Sequence, residues 1–192
     1  STRSTQHLTN RPWQRRTDVT VESKHMAEKR ELSEVLGILS TSAPESYAII
    51  KGSQEYPQIQ GIVRFYSIWD GTLVAADIYG LPQGSGACSG KVFGFHVHEG
   101  DRCLGNASDP FAQTKGHYNP GNCEHPEHAG DMPPLFGNDG FAMMMFYTDR
   151  FFPETVVGRT VVIHSMPDDF KTQPSGDSGM KIACGEIKEN KM

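Results

Sequence analysis

The sequence predicts an all-β fold, a sandwich or barrel of eight antiparallel strands. Beyond Pro44, apolar and polar side chains alternate with a period of two, as they do in strands with one buried face. Turn-forming sequences such as Trp69-Asp70-Gly71 and Gly137-Asn138-Asp139-Gly140 separate several of these segments. No helical pattern lies between them, which favours an antiparallel sandwich or barrel. The eight predicted strands are 46–51, 58–67, 72–79, 91–98, 131–136, 141–147, 157–164 and 181–187.

Residues 1–44 differ from the rest of the chain and are predicted to form an N-terminal extension. Ser1 to Asp18 is polar with four arginines, and we expect a flexible arm there. From about Val21 to Leu39 the pattern is helical. Four apolar side chains form a stripe at helical spacing: Leu32, Val35, Leu36 and Leu39. Such a stripe is typical of a docking or dimerisation helix, or of a short helix that packs on its own domain or is only partly ordered, and we favour the second interpretation. The arginines are too few and too scattered to indicate nucleic-acid binding.

Residues 45–192 are predicted to form a single domain, because 148 residues are enough for one well-buried core. The chain carries 20 glycines and 12 prolines, which favours loops and turns over long helices. No apolar run approaches the ~20 residues of a membrane-spanning helix. The first 20 residues are polar, so no signal peptide is visible, and a cleaved one would leave the same sequence.

The chain has four cysteines, which are compatible with two disulfides in any of three pairings, or with buried free thiols. They are Cys88, Cys103, Cys123 and Cys184. No Cys-x-x-Cys pair occurs, which argues against a zinc–thiolate site. Disulfides would indicate an oxidising, extracytoplasmic setting.

A histidine-rich stretch runs from Gly94 to Asp131 and holds five of the eight histidines. His96 and His98 alternate along a predicted strand, so both imidazoles point to the same face. Three more histidines and a carboxylate follow on loops, and one histidine ends a later strand: His117, His125, His128, Asp131 and His164. A lone histidine is usually structural, but six of them with a carboxylate indicate a metal site. Imidazole and carboxylate are ligands that suit copper and zinc.

Five ordered segments resemble the signature segments of copper/zinc superoxide dismutases: GFHVHEG, GHYNP, HAGD, GRTVVIH and ACGEI. The resemblance covers roughly residues 45–192. The short distance from HVHEG to Cys103 and the compact HPEHAGD loop are more similar to the bacterial branch. The resemblance implies a Greek-key sandwich of immunoglobulin-like architecture with long metal-binding loops. It also implies a Cys103–Cys184 disulfide, which leaves Cys88 and Cys123 as the remaining pair.

The same resemblance implies a complete set of metal ligands at seven positions. The copper ligands would be His96, His98, His117 and His164, and the zinc ligands His117, His125, His128 and Asp131. His117 would bridge the two metals, because only an imidazole deprotonated at both nitrogens binds two ions at once. The His125–His128 spacing is shorter than in many family members. Asp168 would hydrogen-bond one ligand of each metal and fix the orientation of the rings.

The implied activity is the conversion of superoxide to dioxygen and hydrogen peroxide, with copper cycling between Cu(II) and Cu(I). His117 would help to deliver a proton to the product, while zinc, which has no redox chemistry, would hold His117. Lys181 stands where the family commonly has an arginine that meets the substrate anion, and it lacks the forked donors of arginine. Because the formal net charge is −5, the attraction of an anion would have to be local.

Two other functions were weighed against this one. A dismutase-like protein could bind, store or deliver copper without turnover, and the short segment from Asp168 to Gly179 leaves that alternative open. A structural sandwich used in adhesion would leave six histidines without a role.

The run Met143–Met145 could suggest a soft copper site, but consecutive strand residues face opposite sides, so core packing is the favoured interpretation. The main hypothesis is a secreted or cell-envelope superoxide dismutase, with a homodimer as one possible assembly.

Overall fold

The computed structural model describes residues 30–191, which form a mostly β protein with one short helix. Its strands are β1 (Ser46–Gly52), β2 (Gln60–Ile68), β3 (Gly71–Tyr79), β4 (Val92–Phe93), β5 (Phe95–His98), β6 (Leu135–Phe136), β7 (Ala142–Thr148), β8 (Thr160–His164) and β9 (Lys181–Glu189). Seven of them form a curled antiparallel sheet in the order β5-β8-β9-β1-β2-β3-β7, and β4 pairs with β6. The predicted fold class is confirmed.

The described residues contain nine strands, whereas eight were predicted, because the strand expected over 91–98 is divided at Gly94. The Gly94 amide donates at 2.8 Å to the carbonyl of Met166, which lies beyond the end of β8. This bond to a loop residue separates β4 from β5. The strand expected over 131–136 is reduced to the two residues of β6. The Pro133-Pro134 pair before β6 has no amide hydrogen to donate to a neighbouring strand.

The hydrophobic core fills the inside of the curled sheet, as the period of two requires. In β1, Ala48 and Ile50 are fully buried, whereas Ile49 between them is 48% exposed. Phenylalanines from distant parts of the chain meet in this core, including Phe65 and Phe151, whose ring centres lie 6.1 Å apart. The sheet therefore offers a rigid frame to the loops that leave it.

The three consecutive methionines of β7 alternate across the sheet. Met144 packs against the core, whereas Met143 and Met145 are exposed. The core-packing interpretation therefore holds for Met144 alone and was wrong for its two neighbours.

One α-helix, α1 (Leu32–Thr41), packs on the outer face of β2 and β3. Val35 is buried there, and Ile38 and Leu39 pack beside it. The other half of the predicted stripe faces solvent, since Leu32 and Leu36 are 70% and 55% exposed. The helix packs on its own chain, as the favoured interpretation expected. The predicted helix start near Val21 and the arm before it lie outside the described residues. No helix within residues 30–191 is long and apolar enough to cross a membrane.

Polar and aromatic contacts fix α1 to the β2–β3 turn. Arg30 donates to Asp70 at 2.7 Å, and its guanidinium lies 5.5 Å and 5.3 Å from the ring centres of Trp69 and Tyr147. Trp69 Nε1 donates to the Glu34 carboxylate, and the Tyr147 hydroxyl donates to Asp70. Burial and the hydrogen bond to Asp70 raise the pKa of Tyr147 to about 12. Together with the apolar contacts, these interactions hold the helix in one position.

The four cysteines form one disulfide, not two. Cys103 and Cys184 are bonded, with Cα atoms 5.7 Å apart, and tie the loop after β5 to β9. The predicted Cys88–Cys123 bridge was wrong, because both residues are free thiols. Cys88 lies exposed in the short turn Gly86–Cys88, and Cys123 lies half-buried in the loop before His125. An even count of cysteines carries no distance information, so elimination could not show whether the last two meet.

Candidate metal centre

The backbone of β5 brings the predicted ligands together. His96 and His98 lie on it and are buried, and its partner β8 ends at His164. Two loop residues also pair with β5 through isolated bridges, Asp131 opposite His96 and His117 opposite His98. Ligands that are far apart in the sequence therefore meet along a single strand.

Six histidines and one aspartate form two groups that share His117. The first group is His96, His98, His117 and His164, and the second group is His117, His125, His128 and Asp131. Within each group, one possible ligand atom from every residue lies within 4.8 Å of the others. All seven positions named from the sequence are therefore in one place. The two remaining histidines, His7 and His25, lie outside the described residues.

Hydrogen bonds to backbone carbonyls fix two rings of the first group. His98 Nδ1 donates to the Lys115 carbonyl at 2.9 Å, and His164 Nδ1 donates to the Gly179 carbonyl at 3.3 Å. The Nε2 atoms of these two histidines then face each other at 3.2 Å. With the proton on Nδ1, each Nε2 keeps a free lone pair for a metal ion.

Asp168 joins the two groups. His96 Nε2 donates to one of its oxygens at 2.7 Å, and His125 Nε2 donates to the other at 2.8 Å. Burial tends to raise the pKa of the Asp168 carboxyl, but bonds from His96, the Phe170 amide and His125 outweigh burial and lower it. Gly176 is required beside it, because a Cβ there would lie 2.1 Å from Asp168 Oδ1. The carboxylate therefore holds one ring of each group with Nδ1 free.

His117 has contacts in both groups. Its Nδ1 lies 2.7 Å from Asp131 Oδ1 and 3.3 Å from His128 Nδ1. Its ring centre lies 4.0 Å from that of His96 and 5.0 Å from that of His98. The second ring nitrogen, Nε2, is buried and has no hydrogen-bond partner among residues 30–191. Nδ1 therefore faces members of the second group, whereas Nε2 is unpaired within the described residues.

The ionisation states suit metal ligands. Burial lowers the pKa of four of the histidines: His96, His98, His128 and His164. The pKa of His164 falls to about 3. For Asp131, burial raises the pKa, but the hydrogen bond from His117 and the nearby imidazoles outweigh it, so the net shift is downward. At neutral pH these side chains are neutral imidazoles and an ionised carboxylate, the forms that bind metal ions.

Within the described part of the chain, three buried ring nitrogens lack a hydrogen-bond partner: His96 Nδ1, His117 Nε2 and His125 Nδ1. The last lies 3.1 Å from an Asp131 oxygen without forming a hydrogen bond. A buried polar atom without a partner costs free energy. A metal ion in each group would satisfy these atoms, and the nitrogen-rich donor sets fit copper and zinc.

A family model described as Copper/zinc superoxide dismutase (SODC) matches residues 59–187. The chain belongs to the copper/zinc superoxide dismutase family. The matched range includes both groups, Asp168 and Lys181, whereas α1 lies before it.

Bacterial members of the copper/zinc superoxide dismutase family are similar to most of the domain. A protein of Deinococcus radiodurans named Superoxide dismutase [Cu-Zn] is 32% identical over 146 residues, which are 67% of this chain and 76% of that protein. A protein of Aquifex aeolicus named Superoxide dismutase [Cu-Zn] 2 is 34% identical over 135 residues, 62% of this chain and 72% of the relative.

Solved structures of the family share the fold. The Cu/Zn superoxide dismutase from Brucella abortus matches with a TM-score of 0.63 and 27% identity, over 75% of this chain and 100% of that one. A double mutant of a SOD-like protein from Bacillus subtilis matches with a TM-score of 0.60 and 26% identity, over 74% and 96% of the two chains.

Lys181 lies next to the first group, but its charge is paired. It is the cross-strand partner of His164, as expected for a residue near the predicted copper ligands. Its Nζ donates to Asp109 at 3.0 Å and to the Phe111 carbonyl at 3.2 Å, and only 15% of its side chain is exposed. No sequence pattern identified Asp109, because it is 72 positions away from Lys181.

Two further residues that were not predicted from the sequence, Gln173 and Arg150, hold the loop of the second group. The Gln173 side chain accepts from the His125 amide at 2.9 Å and donates to the His125 carbonyl at 2.7 Å. Arg150 donates to the carbonyls of Pro126 and His128. Neither residue belongs to a dismutase signature segment quoted above, so no local signal identified them.

Proposed function

We propose that the protein is a superoxide dismutase that converts two superoxide anions and two protons to dioxygen and hydrogen peroxide. The first group would hold copper and the second group would hold zinc. The observation that carries the proposal is the position of His117. It is shared by two groups of ligand atoms, and its buried Nε2 has no partner in the part of the chain that the structure describes.

The side chains of both groups would hold and orient the cofactors. When bound, copper would supply one-electron chemistry between Cu(II) and Cu(I), and zinc would supply a fixed positive charge without redox chemistry. Asp168 would keep His96 and His125 in the ligand tautomer, since both donate to it through Nε2. His117 Nε2 is the atom that would hold a proton and pass it to the product.

A second candidate function is copper binding or storage without turnover. The ion pair between Lys181 and Asp109 favours this alternative, because it cancels the cation expected to attract superoxide. The formal net charge of −5 acts in the same direction. The ligand set alone cannot separate the two functions, since both need copper.

Metal analysis combined with a superoxide-consumption assay tests the proposal. We expect one copper and one zinc per loaded chain and rapid consumption of superoxide. His117→Ala should disturb both metals, whereas Asp131→Ala should mainly disturb zinc. A fully loaded chain that leaves the rate of superoxide decay unchanged would establish the storage function. A loaded chain with copper alone would contradict the zinc half of the proposal.

The Cys103–Cys184 disulfide supports an extracytoplasmic location, secreted or in the cell envelope. Cys88 and Cys123 are free thiols, so only one disulfide supports this location. Fractionation of the source cells tests the location. Sedimentation of the purified chain at several concentrations tests whether it forms a homodimer.

A further inference from the structure

The loop from His125 to Asp131 carries three of the four members of the second group within seven residues. Both ends of the loop are attached to the rest of the chain, since the Gln173 side chain bonds to the His125 backbone and Gly130 forms backbone bonds with Val97 and Tyr118. The Asp131 amide donates to the His128 carbonyl at 3.2 Å, and the His128 amide donates to Asp131 Oδ2 at 3.0 Å. Both contacts lie at one end of the loop. Between these attachments, the carbonyl of Pro126 accepts a hydrogen bond from Arg150.

Arg150 contacts the middle of this loop. Its Nη1 donates to the Pro126 carbonyl at 2.8 Å and to the His128 carbonyl at 3.2 Å, and the contact is partly buried. A charged donor makes stronger hydrogen bonds than a neutral one. The two accepted bonds fix the direction of the backbone on either side of Glu127, directly before the His128 ring.

The backbone at Arg150 is itself attached to the sheet. Its amide donates to Thr148 Oγ1 at 3.2 Å, at the end of β7. The next residue, Phe151, is 1% exposed in the core, and its carbonyl accepts from Thr72 Oγ1 at 2.7 Å. Arg150 therefore connects the loop to the rigid frame of the protein.

We propose that Arg150 is a positioning residue for the zinc site of the proposed function. It holds the loop so that the imidazoles of His125 and His128 and the carboxylate of Asp131 converge. The sign of its effect is informative. A guanidinium close to a divalent cation opposes metal binding through Coulomb repulsion, so only the positioning of the loop makes Arg150 favourable.

Zinc affinity, measured by competition with a chelator, tests this inference. Arg150→Met removes the donors and keeps much of the length, and we expect a zinc dissociation constant about 10- to 100-fold higher, the range found when groups that orient ligands are removed. Arg150→Lys should recover part of the loss, because an ammonium can still donate to a carbonyl. Arg64→Met is the matched control, since it also removes a cation but breaks an ion pair with Asp77 on β2 and β3.

A second measurement separates positioning from general stability. Co²⁺ bound in the second group would report ligand geometry through its visible absorption, which should change in Arg150→Met and stay as in the parent in Arg64→Met. Unchanged or tighter zinc binding in Arg150→Met would overturn the inference. Equal losses of copper and zinc together with early unfolding of the metal-free chain would also overturn it. A parent chain that takes up no Zn²⁺ would overturn the zinc half of the proposed function, and the role of Arg150 with it.

Discussion

Lys181 and Asp109 form a partly buried ion pair at 3.0 Å beside the first group. The pair joins the start of β9 to the loop that follows β5, and Lys181 is also the neighbour of His164 across the sheet. The ammonium that would attract superoxide is therefore already compensated. Its contribution to the encounter rate depends on Asp109 as much as on Lys181.

Asp109→Asn should increase the rate of superoxide consumption at low ionic strength, because it uncovers the charge of Lys181. We expect a gain of less than about tenfold, since a single charge is only part of a steering field. The gain should shrink at 0.1 M salt, where the screening length is about 10 Å. Lys181→Glu should slow turnover strongly at low salt, Lys181→Met should fall between Glu and the parent, and Lys181→Arg should stay close to the parent. Equal rates in all four variants, with copper content unchanged, would show that Lys181 does not steer the substrate.

Asp168→Asn should weaken the binding of both metals. The two rings donate to different oxygens of Asp168, and asparagine replaces one of these oxygens by an NH2 group, so His96 or His125 would lose the bond that fixes its tautomer. We expect about 10- to 100-fold weaker binding of each metal in chelator competition. Asp169→Asn is the matched control, because Asp169 is exposed and its carboxylate accepts hydrogen bonds from Lys171 and Thr172 in its own turn. Loss of one metal alone would mean that Asp168 serves a single site.

The metal-free protein should lose stability as the pH falls from 7 towards 4. The pKa of His164 is lowered to about 3 by burial, so between that value and its ordinary pKa of 6.5 the unfolded chain binds a proton that the folded chain does not. The free energy of unfolding therefore rises with pH in this window, by up to ~1.4 kcal/mol per pH unit for each such group. Urea denaturation at several pH values measures the slope. Metal-free His164→Gln should show a shallower slope, and an equal slope would contradict this assignment.

Deletion of residues 1–44 should leave metal content and activity largely intact, because every proposed ligand lies beyond Pro44. It should nevertheless lower the free energy of unfolding by about 2–4 kcal/mol, since α1 covers an apolar part of β2 and β3. Val35→Ser should show a share of that loss, whereas Leu32→Ser should not, because Leu32 is 70% exposed. Thermal and urea denaturation measure these changes. A large loss of activity on deletion would mean that the extension helps to build the site.

Replacing cysteines should lower the stability for the Cys103–Cys184 pair much more than for Cys88 and Cys123. Cys103→Ser should cost ~2–5 kcal/mol of stability, because the bridge closes a loop between residues 81 positions apart. Replacing both Cys88 and Cys123 by serine should cost much less. Non-reducing peptide mapping and thiol titration should find one disulfide and two free thiols per chain. A mapped Cys88–Cys123 peptide would contradict the structure.

The sequence predicted most of the site because its ligands sit in short local patterns. His96 and His98 alternate on one strand, and the other ligands lie in segments that resemble a known family. The contacts that support these ligands were not predictable in the same way. Asp109 meets Lys181 across 72 positions, and Arg150 meets the Pro126 carbonyl across 24. Such contacts depend on how the sheet folds back on itself.

The features of the fold that were not predicted from the sequence also depend on contacts between distant residues. The period of two located the strands, but it did not show that Gly94 would bond to Met166 and interrupt one of them. The helical stripe located α1, but two neighbouring faces of a short helix offered similar apolar residues. Packing on Tyr66 and Leu73 selected the face with Val35 and left Leu36 in solvent.

The double attachment of His117 and Asp168 has a thermodynamic consequence. Each residue belongs to both halves of the centre, so an ion that orders them in one half prepares the other half as well. If both groups bind metal as proposed, the two occupancies would be linked by a coupling free energy, and this coupling would be reciprocal. Whatever factor zinc adds to the affinity for copper, copper must add to the affinity for zinc. The order in which the two ions bind changes the intermediate states but not the total free energy of binding.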